Sequence, residues 1–128
     1  MRLTRLPLMA FIAALLLAPA LAADEISDFH SDIRIQADAS LLVHEVIRVR
    51  SQGTDIRHGI FRDFPTRYQD RLGENYFVGF KLLEVRRDGR TEPYTLENLN
   101  NGVRIKVGSA STELPPGEYT YELTYTLP

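Results

Sequence analysis

The residues best equipped for chemistry lie in one stretch, Asp55-Ile56-Arg57-His58-Gly59-Ile60-Phe61-Arg62-Asp63-Phe64-Pro65, followed by Arg67, Tyr68 and Arg71. From Arg48 to Arg71 six arginines face three aspartates. Guanidinium forks beside Phe61, Phe64 and Tyr68 suit planar or phosphate-like anions, and equally suit protein interfaces anchored by aromatic and Arg side chains. Arg57, His58, Phe61, Arg62 and Tyr68 are therefore the candidate binding residues. The structural alternative has Arg57, Arg62 and Asp63 pairing with one another and pinning the stretch to the fold, while Ile60, Phe61 and Phe64 plug an open end of its core. Such internal pairing is the common fate of charge clusters. Glu45 belongs to the same question, because it shares a strand face with Val43, Ile47 and Val49. A half-buried carboxylate there needs a cation, and Arg57 or Arg62 could supply it.

Catalytic constellations are sparse. His30, His44 and His58 do not stand at a metal-ligand spacing, and no Cys completes a site, so no metal is expected. No Gly-x-Ser-x-Gly elbow and no glycine-rich phosphate cradle occur, and no cofactor is implied. Paired carboxylates survive this filter, since two acids on facing strands could act on a glycosidic bond. An envelope-polymer hydrolase using Glu45 or Asp63 is thus the enzymatic alternative. It predicts an acidic cleft, whereas the sequence gathers Arg around these residues.

The elements that must position these side chains read as strands. No segment past residue 22 shows helical periodicity, whereas period-two alternation recurs between turn signals. Ile33 and Ile35 alternate with polar residues up to a turn at Ala37-Asp38-Ala39-Ser40. Leu41, Val43, Glu45, Ile47 and Val49 then share a face, so a hairpin is expected. Tyr76 to Arg86 reads as one long strand, Asp88-Gly89 as a turn into Pro93 to Leu96, and Asn100-Asn101-Gly102 as a turn before Val103, Ile105 and Val107. In the last strand Tyr119, Tyr121, Leu123, Tyr125 and Leu127 line one face. The expected fold is all-β, an immunoglobulin-like antiparallel sandwich. Ser51 to Asn75 is left as a long irregular loop, and whether the last strand has a missing neighbour stays open.

The 128 residues suffice for one domain, 44% hydrophobic and 25% charged, with a formal charge of -2 and neither Cys nor Trp. Met1 to Arg5 carry two positive charges, Leu6 to Leu17 are almost wholly apolar, and Ala20-Leu21-Ala22 presents small residues to a signal peptidase. Residues 1–22 are expected to be a cleavable signal peptide, and 23–128 the exported domain. The apolar run is short for a membrane span and is broken by Pro7 and Pro19. Without Arg2 and Arg5 the remainder is more acidic, which argues against nucleic-acid binding. The chain ends at Tyr125-Thr126-Leu127-Pro128, close on the last core residue, which suggests the front of a longer protein.

The segment Ile56 to Pro65 resembles the RHGI-aromatic-R-D-hydrophobic-P pattern of the domain-of-unknown-function 2207 family, the YciQ-like predicted membrane proteins of bacteria and archaea. Phe29 to Val49 is similar to that family's opening hairpin, and Arg87-Asp88-Gly89, Arg104 to Gly108 and Pro116 to Tyr125 to its later strands. The resemblance covers roughly residues 24 to 128. It implies an exported N-terminal domain, followed by membrane-spanning helices supplied by downstream segments that this chain lacks, and it transfers no catalytic residue. The expected role is an extracytoplasmic binding or interaction module, periplasmic or on the outer face of the cytoplasmic membrane. Its partner would be an envelope protein or an anionic envelope component. The other reading is a purely structural domain that positions membrane helices.

Overall fold

The computed structural model describes residues 23–128, so the expected leader at 1–22 lies outside the described residues. These residues form ten strands and no helix: β1 (Glu25–Ile35), β2 (Leu41–Ser51), β3 (Gly59–Pro65), β4 (Arg67–Gln69), β5 (Asn75–Phe77), β6 (Lys81–Arg87), β7 (Arg90–Thr91), β8 (Tyr94–Leu99), β9 (Gly102–Gly108) and β10 (Gly117–Leu127). All pairings are antiparallel. A five-stranded sheet runs β1-β2-β10-β6-β7, a three-stranded sheet β3-β9-β8, and β4 and β5 form a separate ribbon. The chain is all-β.

Period-two alternation explains how the two larger sheets meet. Val43, Ile47 and Val49 of β2, Val85 of β6 and Tyr121, Leu123 and Tyr125 of β10 face Phe64 of β3 and Ile105 and Val107 of β9 in one buried cluster. Burying side chains of this size contributes on the order of 1.5–3 kcal/mol each. The last strand has neighbours on both sides, β2 and β6, so no partner is missing there. Asp88 and Gly89, both at positive φ, make the two-residue turn between β6 and β7.

Two expectations need correction. Ser51 to Asn75 is not irregular, since it holds β3, β4 and the start of β5. Ile60, Arg62 and Phe64 are the inward residues of β3, and the Arg between two apolar residues hides the alternation. Tyr76 to Arg86 is not one strand either. β5 pairs with β4, after which Val78 to Phe80 carry the chain into the large sheet, where Phe80 stacks on Phe64 with ring centroids 4.6 Å apart.

Candidate functional site

The loop leading into β3 is held from beneath by two side chains. Asp24 accepts the backbone N–H groups of Gln52, Thr54, Asp55 and Ile56. These bonds, that of Ile56 foremost, hold its carboxyl down at about 2. Buried Ser51 donates its hydroxyl to the Ile56 carbonyl and accepts the Gly53 N–H. Beyond this point the Arg57 carbonyl accepts the Leu114 N–H at 2.7 Å. His58 Nδ1 lies 3.0 Å from the Thr112 carbonyl oxygen. A carbonyl can only accept, so Nδ1 carries the proton and Nε2 is left as an acceptor.

β3 then alternates sides. Phe61 lies on the outer face of the small sheet, 65% exposed, whereas Arg62 turns inward. On that outer face Phe61 stands opposite Lys106 and Asp63 opposite Arg104. The Arg104 guanidinium grips Asp63 with two hydrogen bonds of 2.8 and 2.9 Å, which holds the Asp63 carboxyl below its ordinary range. Lys106 Nζ lies 2.7 Å from Glu97 and 5.7 Å from the Phe61 ring centroid.

One step towards the loop, Gly59 pairs with Gly108, so two facing positions of the sheet carry no side chain. A Cβ on Gly59 would stand 1.8 Å from the Val107 carbonyl oxygen, and one on Gly108 2.0 Å from that of His58. Only glycine permits this approach. The bare backbone becomes the floor of a groove of about 660 Å³, lined also by Arg57, His58, Phe61, Thr95, Lys106 and Ser109. Asp55 also lines it. Among the described residues Arg57 makes no ion pair, whereas Lys106 is engaged by Glu97. The groove thus offers one uncommitted guanidinium, an imidazole and the exposed Phe61 ring.

Three of the five candidate binding residues, Arg57, His58 and Phe61, therefore converge. Arg62 and Tyr68 do not join them. Arg62 donates from Nε and Nη2 to the two carboxylate oxygens of Glu45, at 3.2 and 2.8 Å, and lies over the Phe64 ring at 4.2 Å. Glu45 is 1% exposed, so the pair ties β2 of the large sheet to β3 of the small one. Tyr68 stacks on Tyr76 across the β4–β5 ribbon, with centroids 5.6 Å apart. Phe61 plugs no core, and Asp63 pairs with Arg104 rather than with Arg57 or Arg62. Glu45 and Asp63 lie respectively inside the sandwich and on its outer surface, so the two carboxylates share no cleft. Thr95 and Lys106 escape sequence reasoning, because only the β3–β9–β8 register carries them beside Phe61.

Residues 25–128 match a family described as "Predicted membrane protein (DUF2207) N-terminal domain". The chain is 31% identical over 100 residues to "Uncharacterized protein YciQ" of Escherichia coli (strain K12), covering 78% of this chain but only 16% of that protein. Native leukotriene A4 hydrolase from Saccharomyces cerevisiae resembles it in structure with a TM-score of 0.50 at 14% identity, over 77% of this chain and 15% of that one. At that identity the likeness concerns the β fold alone. The same yeast enzyme in complex with bestatin aligns with a TM-score of 0.48, at 15% identity, over 95% of this chain and 19% of that one. Among the described residues no helix is long and apolar enough to cross a membrane.

Proposed function

The chain belongs to the DUF2207 family of predicted membrane proteins, as its N-terminal domain, and from that premise we propose that it is an extracytoplasmic binding module whose groove takes an anionic envelope component. The observation that carries this reading is the uncommitted Arg57 guanidinium beside the exposed Phe61 ring, over a floor cleared by Gly59 and Gly108. A guanidinium matches a carboxylate or phosphate group in two-point geometry, and an aromatic face takes the apolar side of a sugar ring. Asp55, which lines the same groove, can accept hydrogen bonds from hydroxyl groups. Together these chemistries fit an acidic saccharide segment. The apolar, basic start of the sequence supports delivery across the cytoplasmic membrane.

Titration calorimetry with uronate-bearing and phosphate-bearing oligosaccharides tests the reading. Saturable binding should weaken about tenfold for Arg57→Ala and for Phe61→Ala, a change of about 1.4 kcal/mol each. Arg90→Ala, at the exposed start of β7, removes the same charge elsewhere and should leave binding intact. Equal weakening by Arg57→Ala and Arg90→Ala would mean diffuse charge attraction and no site.

A further inference from the structure

We propose that the free edge of the large sheet is a homodimer seam, in which β1 of one copy pairs antiparallel with β1 of a second about a two-fold axis through Ser31. This surface is separate from the groove. β1 pairs only with β2, and every residue from Glu25 to Ile35 is exposed. Directly opposed residues of two strands share a sheet face. Phe29 opposite Ile47, Ser31 opposite Glu45 and Ile33 opposite Val43 therefore lie on the face that buries the core. The three-stranded sheet covers that face over β2 but stops short of β1, leaving Phe29 48%, Ile33 62% and Ile35 76% exposed. A long edge with an apolar row is a standing template for another strand.

The charges on the other face of β1 select the partner. Asp28, His30, Asp32 and Arg34 make no ion pair among the described residues. Two identical antiparallel strands keep their apolar rows on one side only when the two-fold axis passes through a residue. With the axis through Ser31, Asp28 stands opposite Arg34 of the second copy, His30 opposite Asp32, and Phe29 opposite Ile33, each pairing occurring twice. An axis through His30 would oppose Asp28 to Asp32, and one through Asp32 would oppose that residue to itself; like charges directly opposite destabilise. An axis through Ile33 also matches Asp32 with Arg34 but leaves Phe29 beyond the strand's partner. The ladder irregularity between Ile26 and Asp28 makes Asp28 the start of the regular edge. The span Asp28 to Arg34, centred on Ser31, uses that edge almost completely. The sequence of β1 is thus complementary to itself read backwards, which a partner of unrelated sequence would not require.

The full chain should double its sedimentation mass as concentration rises. Arg34→Asp or Asp28→Arg alone should abolish the doubling, because each sets like charges across the seam. Asp28→Arg with Arg34→Asp in one chain should restore it, as should mixing the two single variants, with circular dichroism reporting the fold. The chain has no cysteine, so Ser31→Cys places a single thiol on the axis, where facing Cα atoms about 4.5–5.5 Å apart fit a disulfide. Oxidation should cross-link this variant faster than Ser111→Cys. A chain that stays monomeric, a doubling indifferent to Arg34→Asp, or charge reversals that fail to rescue while the fold persists would each overturn the seam, including in favour of a strand from another protein.

Discussion

Arg62 is the residue where sequence and structure part most instructively. Its type and neighbours qualify it for ligand contact, but strand alternation sends its side chain the other way from Phe61, onto Glu45 and the Phe64 ring. Removing Arg62 would leave a carboxylate sealed in the core without its counter-charge. Arg62→Ala should therefore lower unfolding stability by about 3 kcal/mol in urea titration, while Glu45→Leu combined with Arg62→Met should recover most of that loss. Additive losses in the double variant would show that the pair is not coupled. The candidacy of Glu45 for an ion pair was legible, since a Glu among Val43, Ile47 and Val49 needs a cation. Which arginine serves it was not, because Arg57 and Arg62 differ only in where the chain turns before β3.

At the scale of elements, the β1–β2 hairpin, the β8–β9 hairpin and the last strand were legible because one face is apolar and Ala-Asp-Ala-Ser, Asn-Asn-Gly and Pro-Pro-Gly respectively mark the turns. β3 was hidden by its inward Arg62, and the ribbon by its exposed aromatics. The loop that presents Arg57 and His58 depends on Asp24, whose folded pKa of about 2 lies below the ordinary carboxylate value of 3.8. A depressed acid stabilises the folded state fully above its unfolded pKa and loses that contribution as pH falls through the folded value. Wild type should thus lose stability between about pH 4 and 2 more steeply than Asp24→Asn, as followed by thermal unfolding. Parallel curves would contradict the capping role. The Gly59–Gly108 pair sets the groove floor in the same local way. Gly59→Ala should unpair this end of β3 and β9, seen as faster amide exchange at the facing residues Ile60 and Val107, and unchanged exchange would contradict the close approach.

For the molecule as a whole, a large sheet, a small sheet that covers part of it and an outer groove on the small one follow from strand periodicity plus register. Sequence periodicity supplies which residues face inward, but register decides that Lys106 lies between Phe61 and Thr95 on the outer face. That is why half of the groove stayed invisible until the strands were placed. The chain spans 16% of the length of the curated relative it matches, and the proposed groove and the proposed β1 seam lie on different sheets of the domain. The most direct test of the binding account is an amide-shift map on titrating the protein with an acidic oligosaccharide. The account predicts saturating shifts clustered on Arg57 to Phe61, Tyr94 and Lys106 to Ser109, and shifts scattered over the surface or centred on another face would contradict it.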